Sequence, residues 1–412
     1  MTGSLARSLP RPPRAGWRRD AVHDLAGGLG DAGLLIPLAV ALITLNGLSA
    51  TAVFAGVGIA YIGTALYFEV PIPVQPLKAF AAAAIALQLD ATTIAAGALL
   101  MAVAMALLAM TGMAGWLARR FPLVLVRGIQ ASVALLLATA AIELAERGNW
   151  EGMPAIDPAL GVAMAIAACA VLLACRRSWP LPGSLAVLVG GAAIGLAVAG
   201  PPSGVGLGPQ AVTLSFPDGA SFATALTALV IAQIPLTFGN SVVATVDAER
   251  SYFGERARRV RAGRLAGSIA IWNTAAGLTG GLPVCHGAGG VTAHYRLGAR
   301  SAAATLAAGG LFLALALTVG DSLPALLRLL APGALAGMLL FVAIQHAMLA
   351  ARLERLDERL IAAGVGLVTL LSGNLAIGFG AGIVVLLARR AWRELAPRPA
   401  APGGNIARLK EG

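Results

Sequence analysis

The sequence predicts an all-α polytopic membrane protein of about fourteen transmembrane segments, arranged as two inverted seven-helix repeats with broken helices 3 and 10. Only 12% of the residues are charged, whereas soluble globular chains carry about 25%. Apolar runs approaching the ~20 residues that cross a bilayer recur along almost the whole chain. The basic residues cluster between these runs, which is typical of cytoplasmic loops.

Hydrophobic periodicity and loop signals place the helices. The predicted segments cover residues 25–45, 50–69, 75–88, 91–114, 124–145, 158–175, 183–200, 220–246, 265–281, 287–298, 301–319, 324–349, 359–372 and 374–391. With the N-terminus inside, only Lys78, Arg147 and Arg328 among the basic residues fall outside the cytoplasmic side. The count of fourteen segments therefore agrees with the positive-inside rule, and an even number of spans predicts that both termini are cytoplasmic.

Composition also excludes several function classes. The net charge of +11 follows from the cytoplasmic loops, and no basic stripe with interleaved aromatic residues suggests nucleic-acid binding. Three scattered cysteines predict neither a disulfide framework nor a metal site. No nucleophile elbow, zinc-protease motif or nucleotide loop is present, so neither an enzyme nor a cofactor is predicted.

Two short segments divide the chain into matching halves. The segment at 75–88 follows a proline-rich entry and the segment at 287–298 follows a glycine-rich one, and each is third in its half of seven. Short interrupted segments at matching positions indicate the midplane site of a transporter. The predicted organisation is a cytoplasmic segment 1–20, repeats 21–200 and 220–392 joined by the loop 201–219, and a cytoplasmic tail 393–412.

The broken helices favour an anion ligand. The N-terminus of a half-helix presents free N–H groups and roughly half a positive charge, which suits an anion. Gln75, His286 and Thr292 could add donors, and Lys78, expected one turn into the first half-helix, would add charge. The alternative for Lys78 is snorkelling to the interface or pairing with Glu69. The predicted site comprises Gln75, Lys78, Asn240, Ser241, Cys285, His286, Gly287, Ala288, Gly289 and Gly290.

Other polar residues within the apolar segments keep two interpretations. Asp31 would either act in function, by coupling transport to protons or organising the site, or anchor helix packing through a hydrogen bond. His286 is a second candidate for proton coupling. Gln233 and Thr237 fit ligand binding or helix packing equally well. For Asp247 and Glu249 a structural ion pair with the nearby arginines is expected.

Three stretches resemble the molybdate transporter family, a relative of the sulfate permeases that is sometimes grouped with facilitator-superfamily proteins. They are Gly30-Asp31-Ala32-Gly33-Leu34-Leu35-Ile36-Pro37-Leu38, Pro73-Val74-Gln75-Pro76-Leu77-Lys78-Ala79 and Pro283-Val284-Cys285-His286-Gly287-Ala288-Gly289-Gly290. A fourth runs from Gln233 to Ser241. The resemblance implies seven-plus-seven inverted repeats, a core domain that moves against a gate domain, and molybdate held between helices 3 and 10.

Alternatives of three kinds remain open. Sulfate is also a tetrahedral dianion, so only the resemblance favours molybdate. A channel on the same scaffold and a membrane enzyme using Cys285 and His286 are further alternatives. A coupling proton, a lipid bilayer and, as in related folds, a homodimer are the expected partners. The alanine-, glycine- and arginine-rich composition suggests a bacterial cytoplasmic membrane.

Overall fold

The computed structural model describes residues 24, 27–30, 32–113, 122–147, 150, 156–178, 183–202, 205–214 and 216–395. Most of these residues are helical, as the apolar composition predicts, because a helix satisfies its backbone polar groups internally. Predictions that concern the two chain ends lie outside the described residues.

The helices follow one another with short connections. Those of the first half are α1 (Ala32–Asn46), α2 (Ala50–Phe68), α3 (Lys78–Ala86), α4 (Ala91–Thr111), α5 (Leu123–Glu146), α6 (Pro158–Ser178) and α7 (Gly183–Ala199). Those of the second half are α8 (219–253), α9 (Ala262–Thr279), α10 (Ala288–Leu297), α11 (Ala302–Val319), α12 (Pro332–Ala350), α13 (Leu356–Ser372) and α14 (Leu375–Leu395). A 3₁₀ turn (Gly254–Arg259) follows α8, and a short helix (Leu323–Arg328) precedes α12.

Each predicted segment overlaps at least one of these helices, with two local differences. The segment at 324–349 is two helices, because a short break precedes Pro332. The third segment begins at Lys78 rather than at residue 75, since Gln75–Pro76 forms a strand. Lys78 is therefore the first residue of α3 and not one turn inside it.

Helix packing follows the symmetry expected of two related halves. In the first group of helices, α2 packs on α11 and α4 packs on α9, which are equivalent pairs if the second half repeats the first. In the second group, α5 packs on α12. Helix α6 also packs on α12 and α5 packs on α13, and these two contacts are equivalent if the second half repeats the first. The first group comprises α1–α4 and α8–α11, and the second comprises α5–α7 and α12–α14.

The two halves also break at equivalent places. Helix α2 ends at Glu69 (φ 61°) and α9 ends at Gly280 (φ 67°), both in the left-handed region. This conformation stops a helix by turning its last N–H groups back onto earlier carbonyls. Each terminus leads into a short extended segment, a strand and then a short helix, α3 or α10.

Helix α8 is irregular near its middle. Two π-helical turns, Leu226–Val230 and Thr237–Val243, interrupt its α-helical hydrogen bonding. Pro235 lies between them and has no N–H to donate to the carbonyl of Ile231. Such π-turns often occur at functional sites, and the second one contains Asn240 and Ser241.

Eight helices of the described chain are long and apolar enough to cross a membrane by length and composition. The all-α membrane class is thereby supported from the structure itself. The number of fourteen spans and the sidedness of the termini remain predictions.

Close helix crossings in the second group depend on glycine. A Cβ atom at Gly337 of α12 would lie 2.3 Å from the backbone oxygen of Ala165 in α6, and one at Gly333 would lie 2.3 Å from that of Gly161. Small residues let membrane helices approach closely, because lipid provides no hydrophobic force between them. The α6–α12 contact therefore tolerates no side chain at these two positions.

We expect Gly337→Ala and Gly364→Ala to change stability in opposite directions. A Cβ at Gly364 of α13 meets no atom within 4 Å, so alanine should stabilise that helix by up to about 1 kcal/mol. Alanine at position 337 should instead destabilise the protein by about 1–3 kcal/mol through overpacking. Thermal unfolding of both variants in the same detergent tests this, and equal shifts would contradict the close crossing.

Candidate functional site

The two breaks meet as a two-stranded antiparallel sheet. Gln75–Pro76 (β1) pairs with Val284–Cys285 (β2), with Gln75 opposite Cys285 and Pro76 opposite Val284. The N–H of Leu77 also donates to the oxygen of Pro283 over 3.0 Å. This pairing brings the first residues of α3 and α10 towards each other across the centre of the first helix group.

Asn273 of α9 completes the pairing of β2. Its Nδ2 donates to the oxygen of Val284 over 2.7 Å, and its Oδ1 accepts from the N–H of Val284 over 3.1 Å. The side-chain amide of Asn273 thus pairs with the backbone of Val284 as a residue of a neighbouring strand would. Asn273 is completely buried, and sequence reasoning did not identify it, although it is a polar residue in a mostly apolar helix.

His286 ties the second break to the first. Its Nδ1 lies 2.8 Å from the oxygen of Pro73, and because a carbonyl only accepts, Nδ1 carries the proton. Its Nε2 lies 2.9 Å from the hydroxyl of Ser268, which accepts a hydrogen bond from Trp272 Nε1 over 3.1 Å. The hydroxyl proton is then donated to Nε2, so both ring nitrogens are satisfied in the neutral imidazole. This network favours a structural role over the predicted proton coupling.

Side chains from neighbouring helices satisfy both ends of the half-helix α3. The buried Gln233 accepts from the N–H of Phe80 over 2.9 Å and donates to Thr237 over 2.7 Å. At the other end, Asn46 donates to the oxygens of Ala84 and Leu89, each over 2.8 Å. Of the two interpretations left open for Gln233, the structure therefore supports helix packing.

Gly287 lies at the point where the predicted site residues converge. A Cβ atom placed there would be 2.4 Å from Oε1 of Gln75, 3.0 Å from Nδ2 of Asn240 and 3.3 Å from Nζ of Lys78. These side chains come from the first break, from the second π-turn of α8 and from the start of α3. They surround Gly287, which precedes the first turn of α10.

The glycines of this turn have different surroundings. At Gly290 a Cβ would clash with Nε2 of Gln75 and with Pro73, each at 2.6 Å. At Gly289, which is exposed, a Cβ would meet no atom within 4 Å, and the same holds for Gly239 beside Asn240. Open space therefore adjoins a tightly packed cluster of hydrogen-bond donors.

The amide of Gln75 is incompletely satisfied. Gln75 is 2% exposed, and its Oε1 is buried with no hydrogen-bond partner among the described residues. Amide oxygen and nitrogen are nearly interchangeable in shape, so the opposite orientation would direct two N–H donors towards Gly287. A buried polar group without a partner among the described residues is the arrangement expected where a ligand completes the hydrogen bonding.

The remaining predicted site residues lie nearby but in other roles. Cys285 is buried, and its Sγ lies 3.7 Å from the oxygen of Pro76, so it packs within the strand pair. Ser241 is buried beside Asn240, and Ala288 is the half-buried first residue of α10. Thr292 donates to the oxygen of Ala288 over 3.1 Å and faces Tyr252. Asp31 lies outside the described residues.

The charge of the site is positive. Two helix N-termini and Lys78 are brought together, and the alternative partner of Lys78, Glu69, instead pairs with Arg259 over 3.0 Å. His346 of α12 is 3% exposed and lies within electrostatic range of Lys78. In the described part of the chain no group of three or more His, Cys, Asp or Glu could hold a metal.

Comparisons with known proteins identify related sequences. The family described as "Molybdate transporter of MFS superfamily" matches residues 23–137 and 225–345. The chain is similar to "Molybdate transporter 2" of Arabidopsis thaliana, with 28% identity over 91% of this chain and 90% of that protein.

Two solved structures have a similar fold. The transmembrane domain of the cyanobacterial bicarbonate transporter BicA gives a TM-score of 0.65 at 16% identity, over 89% of this chain and 98% of that one. The murine anion transporter Slc26a9 gives 0.60 at 15% identity, over 89% of this chain and 68% of that one. Both likenesses confirm the predicted inverted-repeat fold.

We expect Asn273→Ala to destabilise the second break, because both polar groups of Val284 lose their buried partner. An unsatisfied buried group costs about 1–3 kcal/mol, so the unfolding temperature should fall clearly. Thr274→Ala is the matched control, since the Thr274 hydroxyl bonds only within its own helix, to Ala270. If both variants unfold like the unmodified protein, the strand-like role of Asn273 is wrong.

Proposed function

The chain belongs to the molybdate transporter family, and we propose that it is a secondary active carrier that takes up molybdate between the N-termini of α3 and α10. The observation that carries this proposal is the convergence of Gln75, Lys78 and Asn240 on Gly287. First-turn N–H groups of the two half-helices, other than those of Phe80 and Gly290, would face the anion from opposite sides, and the open space beside Gly289 would receive it.

The donor set suits a ligand that must be released. A tetrahedral dianion gains from two helix dipoles, worth about 0.3–1 kcal/mol each at exposed sites and more when buried. Lys78 adds one full charge, while the amides of Gln75 and Asn240 contribute neutral hydrogen bonds. Because Lys78 is the only charged side chain in this proposed donor set, it neutralises just one of the two negative charges of the anion. Binding of moderate strength would then allow the anion to be released.

Movement between the two helix groups would provide alternating access. The anion site lies within the first group, and α3 and α1 of that group pack against α5 and α12 of the second. Rocking of one group against the other would expose the site to each side in turn. A bacterial cytoplasmic membrane with both termini inside, and a homodimer, belong to this proposal as expectations from the sequence.

Molybdate is preferred to sulfate because of family membership alone. Both are tetrahedral dianions, and the donors around Gly287 would serve either. A carrier rather than an enzyme is supported because the similar proteins are transporters by name. His286, the residue an enzyme would need as a base, has both ring nitrogens occupied.

Uptake of radiolabelled molybdate into proteoliposomes tests the function. We expect saturable uptake that persists in excess unlabelled sulfate, together with molybdate–molybdate counter-exchange, which a channel would not support. Sulfate uptake without molybdate uptake would contradict the substrate and leave the site standing. No flux of either anion in vesicles that contain folded protein would contradict the proposed function.

We expect Lys78→Gln to raise the Michaelis constant for molybdate by at least about tenfold, since it removes the only full positive charge proposed to contact the anion (roughly 1.4 kcal/mol per tenfold). Arg328→Gln removes an exposed charge from the short helix before α12 and serves as the control. Initial uptake rates at varied molybdate concentration distinguish the two. Equal constants for both variants would exclude Lys78 from the binding site.

A further inference from the structure

Glu249 is a buried carboxyl group that the proposed anion site does not use. It lies in the last turns of α8 and is completely buried, and neither carboxyl oxygen has a hydrogen-bond partner among the described residues. The predicted ion pair with the arginine cluster is therefore wrong for this residue. Its neighbours Asp247 and Arg250 are exposed.

The carboxyl group lies on the side of α8 that faces the second break. Thr245, one turn earlier, donates its hydroxyl to the backbone oxygen of His286. Tyr252, three residues later, lies 3.4 Å from the hydroxyl of Thr292 in α10 and stacks on Tyr295 with ring centroids 4.4 Å apart. Residues three and four apart share one helix face, so Glu249 belongs to the surface that packs on α10.

The surroundings of this surface are apolar. The side chains of Phe68, Ile72, Leu265 and Val291 form a buried cluster with Phe253 at the end of α8. An unpaired carboxylate in such a place carries a large desolvation cost, whereas the protonated acid does not. The packed arrangement therefore favours a carboxyl group that holds a proton.

Charged and titratable groups on the packed elements are engaged elsewhere or exposed. His286 is held by Pro73 and Ser268, His294 stacks on Tyr61, Arg300 lies over the ring of Tyr295, and Arg259 pairs with Glu69. Those on the exposed side are Asp247, Arg250, Glu255, Arg256, Arg258, Arg261, Arg264 and Arg296. Among the described residues, these hydrogen bonds, ring contacts and the ion pair do not involve Glu249.

We propose that Glu249 is the proton-binding site that couples anion transport to a proton gradient. The inference rests on the proposed function and names the residue that binds the coupling ion. Glu249 and Asn240 are carried on the same helix, nine residues apart or about 13 Å along its axis. While α8 and α10 pack together, Glu249 is buried and keeps its proton. A local loosening of α8 from α10 within the first group, separate from the rocking of the two groups, lets water reach the carboxylate and the proton leave.

The consequence is a proton that binds together with the anion. Because proton and molybdate stabilise the same packed state, each raises the affinity for the other. The apparent affinity for molybdate should therefore fall as pH rises, by up to about tenfold per pH unit for one linked proton. A proton that travels with the dianion also reduces the charge moved per cycle from two to one.

The test compares Glu249→Gln, which imitates the protonated acid, with Asp247→Asn, which changes the exposed carboxylate two residues away. In proteoliposomes we expect E249Q to retain molybdate–molybdate exchange but to lose stimulation by an inward proton gradient. D247N should keep both. Stimulation of E249Q equal to that of the unmodified protein would overturn the inference.

A measurement on the unmodified protein gives an independent test. Calorimetry of molybdate binding in buffers of different ionisation enthalpy counts the protons taken up, and about one is expected. Binding without proton uptake would refute the coupling role even if E249Q failed to fold. Absence of both molybdate binding and exchange in the unmodified protein would instead refute the proposed function, so the two failures are distinguishable.

Discussion

The rest of the structure depends on satisfying backbone polar groups where two helices are interrupted within the membrane region. Lipid offers these groups no partner, and each unsatisfied one costs several kcal/mol. The chain meets this constraint by pairing the two breaks with each other as β1 and β2 and by placing Asn273, Gln233 and Asn46 at the remaining positions. This requirement explains why these three amide side chains interrupt mostly apolar helices.

Much of the architecture follows from the sequence, because helix length, proline and glycine breaks and charge placement are local signals. The third and tenth helices, and the meeting of Gln75, Lys78 and Asn240 at Gly287, are found where the pattern predicts them. The strand pair was not predicted, since two-residue strands have no periodicity and their pairing joins residues about 200 positions apart. Asn273 was missed because one amide in an apolar helix carries no sign of its partner.

Charged residues were the least predictable. Glu249 lies beside a run of arginines in the sequence, yet helix geometry turns it inwards while Asp247 and Arg250 face outwards. Glu69 is a possible partner of Lys78 by sequence, but its carboxylate pairs with Arg259. Proximity in the sequence suggests which charged residues form an ion pair, but the path of the backbone decides which side chains actually meet. The family description refers to the MFS superfamily, but the likenesses in fold are to the transporters BicA and Slc26a9.

The two repeats are alike in backbone and unlike in charge. Lys78 is the first residue of α3, and the equivalent first residue of α10 is Ala288. If the transport cycle exchanges the conformations of the two halves, the inward- and outward-facing states are near mirror images in shape but not in electrostatic potential. An anion would then have different free energies in the two states, and the equilibrium between them would be biased before any gradient is applied. Lys78 would thus make the two states energetically unequal although the scaffold is nearly symmetric, while the gradients would still set the direction of net transport.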